Sequence, residues 1–227
     1  MEIMYSARSH VGIVRDNNED NLFVGGITLQ PNTYSFSING RADVPGIFAV
    51  CDGMGGEANG EIASLIMAET LAEIDAQTET IQPFIEKAHE AIDTEAKHRG
   101  ARMGTTLALA IITKKKIRCF NIGDSRIYFL RKKIFSQVTN DHKLENTNKL
   151  TRCIGIGGAR EAQEYSLPSK KCRILICSDG LSDMLSAREI ENAMRCNKKT
   201  ADAANSLLKE ALEKGGKDNI TLIITDT

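Results

Sequence analysis

The chain has 227 residues, of which 41% are hydrophobic and 26% charged, a composition typical of a globular domain large enough to bury a core. Its 29 Lys and Arg residues nearly balance its 30 Asp and Glu residues, which argues against a nucleic-acid binder that relies on bulk positive charge. No apolar run approaches the roughly 20 residues that cross a bilayer, and no basic-then-apolar leader is present, so we expect a cytoplasmic protein without nucleic-acid or membrane partners.

The first part of the chain predicts strands separated by polar turns. A strand pattern covers residues 3–14, and the polar run after it contains Arg15, Glu19 and Asp20. Such a run is usually a solvated turn, but it could also present two carboxylates to a metal and a guanidinium to an anion. Residues 25–43 then have the pattern of a loose hairpin.

The most informative stretch is residues 46–56. Its apolar run at 47–51 predicts a strand buried on both faces, and the run ends at Asp52 before a glycine cluster. Asp-Gly alone is a common turn signal, but the same design recurs at Asp179, and a third acidic turn contains Asp218. Several strand-end carboxylates without basic partners repel each other unless a cation lies between them. We therefore expect a divalent metal site.

Helical patterns occur in two places. The first pair follows the glycine cluster, with one helix capped by Asn59 and running to about Ala76, and another capped by Thr80. The second pair lies in residues 186–215, where the first helix begins with a capping box and the second is capped by Thr200. Their apolar residues recur at helical spacing, which predicts that one face of each helix packs on a core.

Between the helix pairs, the chain predicts an antiparallel meander of short strands. The segments are residues 105–113, 117–122, 125–131 and 134–138. Asp124 lies in the turn between the second and third segments. The sequence alone supports a structural role and a metal-binding role for this residue equally.

Six cysteines are present, without a Cys-x-x-Cys pair, and most lie in apolar runs. We therefore expect buried free thiols rather than disulfides or a zinc site. Cys51 is next to Asp52 and could be considered a nucleophile, but the alternation of side chains along a strand predicts that it packs inward.

No repeat, low-complexity tract or linker divides the sequence, so we predict one domain over residues 1–227. Helices and strands are grouped and do not alternate one by one. This grouping predicts an α+β fold with helices on the outer faces of sheets.

Six motifs occur in a fixed order along the whole chain: Arg15 with the acids up to Asp20, Asp52-Gly53-Met54-Gly55-Gly56, Gly104-Thr105-Thr106, Asn121-Ile122-Gly123-Asp124-Ser125-Arg126, Ser178-Asp179-Gly180-Leu181-Ser182-Asp183 and Lys217-Asp218-Asn219-Ile220-Thr221. Together they resemble the metal-dependent protein phosphatases of the PPM family, the type 2C serine/threonine phosphatases, in their compact bacterial form. Each motif alone is weak, but six in order are specific. The resemblance implies two central β-sheets packed face to face between pairs of helices.

The resemblance also implies a centre of two Mn2+ or Mg2+ ions between the sheet edges. Asp52 would bridge the two ions. Glu19 and the Gly53 carbonyl would bind one ion, and Asp179 and Asp218 the other. Hard oxygen ligands of this kind suit both metals.

Further roles follow from the same resemblance. Asp124 and Asp183, with Asp179, would serve a third, weaker ion that bacterial members hold. Asp20 would hold metal-bound water from behind the ligands, and Asn219 would support them. Arg15 would grip the substrate phosphate as a bidentate fork.

The implied function is a serine/threonine protein phosphatase of signal transduction, a hydrolase in which metal-bridged hydroxide attacks the phosphorus of a monoester. Its partners would be phosphorylated proteins made by a serine/threonine kinase, and we expect a monomer. One alternative is a catalytically silent member of the fold that acts as a binding or scaffold module, although every implied acid is present. A two-metal nuclease would need a basic groove, which the charge balance does not indicate.

Two features depart from the family pattern. Met54 follows Gly53, whereas many relatives have a histidine in this region that acts as general acid. Protonation of the leaving group would then fall to metal-bound water or to an unidentified group, for which His142 is a weak candidate. The loop at residues 143–150 is shorter than the family's usual flap, which puts substrate choice in doubt.

Overall fold

The computed structural model describes residues 2–55, 59–75, 77–78, 80–145, 147, 149–157 and 160–227. Gly56 of the glycine cluster and Ala76, the expected end of the first helix, lie outside the described residues.

The strands, in chain order, are β1 (Glu2–His10), β2 (Asp20–Val24), β3 (Ser35–Asp43), β4 (Gly46–Met54), β5 (Gly104–Thr105), β6 (Leu107–Ile112), β7 (Lys116–Ile122), β8 (Arg126–Arg131), β9 (Ile134–Gln137), β10 (Gln163–Pro168), β11 (Arg173–Cys177) and β12 (Ile220–Asp226). The helices are α1 (Gly60–Thr70), α2 (Gln82–Arg99), α3 (Asp179–Ser182), α4 (Ala187–Cys196) and α5 (Thr200–Glu213).

These strands form two sheets. Sheet I has the order β3-β1-β12-β11-β8-β9, and sheet II has the order β10-β7-β6-β4-β2, with β5 paired to β4. The strand pairs are antiparallel throughout. Because successive side chains of any strand point to opposite faces of its sheet, one apolar run can contribute to two cores.

The sheets pack face to face, and three apolar cores separate the layers. The core between the sheets includes Ile3, Leu22, Phe48, Val50, Ile176 and Ile223. Met67, Ile85 and Ile92 of α1 and α2 pack on the outer face of sheet II, and Ile190 and Leu207 of α4 and α5 pack on the outer face of sheet I. Each buried side chain of this size contributes about 1.5–3 kcal/mol to folding. The predicted α+β sandwich is confirmed.

Two strand pairings differ from the sequence prediction. Residues 25–43 do not form a hairpin, because β3 pairs with β1 in sheet I while the preceding β2 pairs with β4 in sheet II. The meander is likewise two hairpins in different sheets, β6–β7 in sheet II and β8–β9 in sheet I. Gly123, with φ of 99°, lies where the chain crosses between the sheets.

Some helices also begin at a different residue from the one that the sequence predicted. The capping box of α4 forms between Ser186 and Glu189 as predicted. Thr200 does not cap α5, because Lys199 occupies that position and the Thr200 hydroxyl forms a 2.8 Å hydrogen bond with Ser6. Ile81 occupies the cap position of α2, one residue after Thr80. In the described residues, no helix combines the length and the apolar character that a membrane crossing requires.

All six cysteines are described, and all are free thiols. Five are buried as expected, whereas Cys196 is exposed. Cys51 is fully buried in the core under α1 and α2, and burial raises the pKa of its thiol well above the usual range. It therefore packs inward and is not a nucleophile.

Candidate active site

One end of the sandwich contains a cleft of about 280 Å³. It is lined by Arg15, Glu19, Asp52, Gly53, Met54, Gly55, Thr106, Asp124, Leu150, Asp179, Asp218 and Asn219. All the site residues predicted from the sequence line it except Asp20, which is buried behind the lining, and Asp183, which is exposed. The site residues meet at this cleft because strands of both sheets begin or end at this end of the sandwich.

Asp52 lies at the end of β4 and is fixed through its backbone. Its N–H donates to the hydroxyl of Thr106 at 3.0 Å, and its carbonyl accepts from the Thr106 N–H at 2.9 Å. The Thr106 hydroxyl also forms a 2.7 Å hydrogen bond with Ser125. Thr106 thus positions the central carboxylate, a role that the sequence did not reveal although the residue lies in one of the recognised motifs.

The carboxylates raise each other's pKa. Burial raises the pKa of Asp52 well above its usual range, and Asp20, Asp179, Asp124 and Asp218 raise it further by like-charge repulsion. Burial is also the largest cause that raises the pKa of Asp179 to about 7. Such repulsion is the physical signature of a site that a cation would stabilise.

Asp20 is the register partner of Asp52 across β2 and β4. Its carboxylate accepts a 2.8 Å hydrogen bond from the hydroxyl of Ser178, and burial raises its pKa to about 7. Asp20 is therefore buried behind the cleft lining, and its supporting role remains a prediction.

Two glycines let Glu19 approach the cleft. A Cβ atom on Gly53 would overlap the carbonyl oxygen of Gly60, and it would lie 2.5 Å from the Glu19 carbonyl oxygen. A Cβ on Gly60, the first residue of α1, would lie 2.7 Å from the carboxyl carbon of Glu19. The Glu19 carboxylate therefore sits at the helix N-terminus, where the Gly60 N–H lowers its pKa against the larger, raising effect of burial.

Asn219 ties the acidic turn of Asp218 to the first polar loop. Its side-chain oxygen accepts from the Glu19 N–H at 2.8 Å. Its side-chain nitrogen donates to the carbonyl oxygens of Val11 and Asn17, at 2.8 and 2.9 Å. This buried amide joins the loop of Glu19 to the turn of Asp218, and its role in supporting metal ligands remains a prediction.

Arg15 lies at the rim with 54% of its side chain exposed, and it forms a 2.8 Å ion pair with Asp218. That hydrogen bond is the largest cause raising the Arg15 pKa, so the guanidinium stays charged. The other arginine of the motifs, Arg126, is engaged by Asp141 through three hydrogen bonds and does not line the cleft.

Asp124 lies in the crossing turn after Gly123. Burial raises its pKa, and Lys143, with its ammonium 3.5 Å away, lowers it. The His142 ring is buried and accepts a 3.2 Å hydrogen bond from the Gly123 N–H. It lies outside the cleft lining and burial lowers its pKa, so His142 is not placed as a general acid.

Asp183 lies at the end of α3 and is exposed. It is near enough to raise the pKa of Asp179. The structure therefore places it at the margin of the cleft and not in its wall.

The donor set fits hard divalent cations, since carboxylate and carbonyl oxygens outnumber the basic groups of the cleft. Within the described residues, no group of three or more His, Cys, Asp or Glu side chains already encloses a common point. Ligation would therefore draw the carboxylates together, and it would relieve the repulsion that raises their pKa values.

Comparison with known proteins gives a consistent picture. Residues 30–215 match the family model of protein phosphatase 2C. The serine/threonine phosphatase stp of Listeria monocytogenes is 28% identical over 250 residues, covering 96% of this chain and 94% of the relative.

Solved structures extend the likeness to the whole fold. The crystal structure of the Mycobacterium tuberculosis serine/threonine phosphatase PstP/Ppp has a TM-score of 0.84 and 27% identity, covering 100% of this chain and 99% of that one. The catalytic domain of PstP in complex with two manganese ions has a TM-score of 0.80 and 29% identity, with the same coverage. The six sequence motifs, the sandwich, the carboxylate cleft and these matches lead to one assignment. The chain belongs to the protein phosphatase 2C family.

Proposed function

We propose that the chain is a metal-dependent serine/threonine protein phosphatase and that the carboxylate cleft is its active site. The observation that carries this proposal is the convergence of Asp52, Asp179 and Asp218 from separate strand ends on one cleft with Arg15 at its rim. Relatives of the chain are named serine/threonine phosphatases, and the PstP structure contains two manganese ions.

Two Mn2+ or Mg2+ ions would be held by Asp52 between them, by Glu19 and the Gly53 carbonyl on one side, and by Asp179 and Asp218 on the other. When bound, these ions supply positive charge at the phosphoryl group and an activated water for its hydrolysis. The protein's contribution is to hold the acids in place. Thr106 fixes the Asp52 backbone, and Asn219 holds the two loops that carry Glu19 and Asp218.

Arg15 would bind the substrate phosphate. A half-exposed guanidinium at the rim can reach an incoming phosphate while one of its nitrogens is held by Asp218. A guanidinium can donate hydrogen bonds to two phosphate oxygens at once. It would therefore stabilise both the bound phosphate and the more highly charged transition state.

The leaving serine or threonine oxygen needs a proton. Among the described residues that line the cleft there is no histidine, and His142 lies outside the lining. We infer that solvent water near Asp124, and not a side chain, supplies this proton. Asp124 would also contribute to a third, weaker ion together with Asp183.

The substrates would be phosphorylated proteins made by a serine/threonine kinase, which places the protein in signal transduction. The short loop favours an open cleft, because Lys143 and Leu150 pair directly with each other and Leu150 lines the cleft wall. We further propose that the domain acts as a cytoplasmic monomer. The silent-scaffold alternative has no supporting observation, since every implied acid is retained.

The experiment is phosphate release from a phosphothreonine peptide by the purified protein, with Mn2+ and then with a chelator. We expect turnover with Mn2+, none with chelator, and none for Asp52→Asn. Turnover that persists in chelator would contradict a metal-dependent reaction, and no turnover with Mn2+ or Mg2+ on any phosphopeptide would support the scaffold alternative.

A further inference from the structure

The proposed reaction leaves one cation beside the cleft without a role. The ammonium of Lys143 lies 3.5 Å from a carboxylate oxygen of Asp124, with 24% of the lysine side chain and 8% of the aspartate side chain exposed. In the other lysine ion pairs of the described residues, both side chains are at least 37% exposed. A lysine this well covered is uncommon, because its ammonium is strongly hydrated.

Two hydrogen bonds hold together the residues that precede Lys143 and Asp124 in the chain. The His142 N–H donates to the carbonyl oxygen of Gly123 at 2.9 Å, and the Gly123 N–H donates to the His142 ring at 3.2 Å. His142 directly precedes Lys143, and Gly123 directly precedes Asp124. The residues that precede the two ion-pair partners are therefore joined by two hydrogen bonds, which hold the Cα atoms of Lys143 and Asp124 close enough for their side chains to meet.

The short loop keeps Lys143 at the edge of the cleft. Lys143 and Leu150 form an antiparallel bridge, and the Leu144 N–H donates to the Lys149 carbonyl oxygen at 2.9 Å. The Thr151 N–H donates to the His142 carbonyl oxygen at 2.8 Å and closes the base of the loop. The loop is closed at its base, and its His142 end is bonded to Gly123 of the crossing turn, so the Lys143 backbone is held near Asp124.

We propose that Lys143 is a built-in cation at the outer end of the active site, and that it neutralises part of the Asp124 charge and weakens the binding of a divalent ion there. This inference rests on the proposed function, in which Asp124 contributes to an ion outside the central pair. An ammonium and a divalent cation that share one carboxylate repel each other across a few ångströms. The two central ions are then held tightly, and the third ion binds weakly because Lys143 already supplies positive charge beside Asp124.

The test is a calorimetric Mn2+ titration of the whole chain as wild type, Lys143→Met and Lys149→Met. We expect Lys143→Met to bind the outer ion about tenfold more tightly or better, which is the effect expected for removing one charge from a partly solvated site. The affinity for the two central ions should be unchanged. Lys149→Met is the matched control, since Lys149 lies in the same loop, is exposed and carries the same charge. The gain should vanish in Lys143→Met combined with Asp124→Ala.

Two results would overturn the inference. One is a Lys143→Met titration identical to wild type, and the other is unchanged ion binding with a raised KM, which would make Lys143 a contact for the substrate phosphate. If Lys143→Met does not fold, Lys143→Gln removes the same charge and keeps a polar end. Failure of the proposed function would appear as no phosphate release by wild type, whereas failure of this inference leaves that release intact.

Discussion

The hydroxyl of Ser178, which follows β11, donates a 2.8 Å hydrogen bond to the carboxylate of Asp20, at the start of β2. Because β11 belongs to sheet I and β2 to sheet II, this bond joins the two sheets at the end of the sandwich that carries the cleft. Asp20 is also the register partner of Asp52. The residue that joins the two sheets is therefore also the strand neighbour of Asp52, so the alignment of the sheets affects the position of the central carboxylate.

Asp52→Asn should abolish turnover and leave the fold intact. The amide keeps the shape of the side chain but removes one charge between two dications, at a cost on the order of 5 kcal/mol, several thousandfold in kcat. Phosphopeptide kinetics and thermal unfolding of the variant measure both effects. Asp16→Asn, an exposed acid in the adjacent loop, is the matched control and should behave as wild type. Near-normal turnover by Asp52→Asn would remove this carboxylate from the reaction.

Arg15→Ala should raise KM for a phosphopeptide and lower kcat as well, because the guanidinium holds both the bound phosphate and the transition state. Arg15→Lys should restore only part of the loss. Arg41→Ala is the control, since Arg41 also forms an exposed ion pair, with Glu2. Kinetics that do not change in Arg15→Ala would mean that the ion pair with Asp218 is the whole role of Arg15.

Asp124→Ala should leave the two tight ions bound and still slow turnover. The loss should be larger for an alkyl phosphate, whose leaving oxygen needs a proton, than for p-nitrophenyl phosphate, whose leaving group does not. Calorimetric Mn2+ titrations and kinetics on both substrates separate the two effects. Equal slowing of both substrates, or loss of the tight ions, would make Asp124 part of the support of the central site.

The stability of the metal-free protein should fall as the pH rises. Burial raises the pKa of Asp20 and of Asp179 to about 7, whereas an unfolded aspartate titrates near about 4. Between these values the folded state binds protons that the unfolded state has released, so stability from these groups is complete below about pH 4 and is lost through about pH 7.

Thermal unfolding in chelator at pH 5.5 and 7.5 tests this sign. Wild type should lose stability at the higher pH, Asp20→Asn should lose less, and Mn2+ should restore stability at pH 7.5 because it binds the folded state. A pH dependence that is the same in wild type and Asp20→Asn would exclude Asp20 as a source of the effect.

Gly180→Ala should destabilise the fold and remove most activity. A Cβ atom at Gly180 would overlap the carbonyl oxygen of Asn219 and would lie 3.3 Å from the Cβ of Asp218. Overpacking of this kind costs about 1–3 kcal/mol, and it would push Asp218 away from Asp179. Gly157→Ala is the matched control, because a Cβ there meets no atom within 4 Å. Denaturant unfolding and kcat/KM should change for Gly180→Ala only, and equal behaviour of the two variants would contradict the close packing.

The strand-end acids were predictable because local sequence fixes them. A buried apolar run followed by Asp52-Gly53 predicts a carboxylate at the edge of a core, and the same pattern before Asp179 strengthens this prediction. The α+β class followed from the grouping of strands and helices, whereas the two packed sheets were implied by the family resemblance. An apolar run and the acid that follows it are adjacent in the chain, so local sequence is enough to predict their arrangement.

Strand partners were less predictable. The strands on either side of Asp124 are apolar and separated by a short turn, which is also the pattern of a hairpin, yet they lie in different sheets. The hydroxyl of Thr200 has the chemistry of a helix cap, but Ser6, 194 positions away in the chain, provides its partner. Long-range packing decides such cases.

The contacts around the acids were missed for the same reason. Ser178 reads as an ordinary residue in a turn, and its bond to Asp20 spans 158 positions. Lys143 reads as a solvated loop lysine, and only the folded chain places it against Asp124.

The most direct test of the central claim is electron paramagnetic resonance of the wild-type protein loaded with two equivalents of Mn2+. A pair of ions bridged by Asp52 predicts an exchange-coupled spectrum that is lost in Asp52→Asn together with phosphate release. Signals of isolated Mn2+ only, from a wild-type sample that turns over a phosphothreonine peptide, would contradict the two-metal site assigned to this cleft.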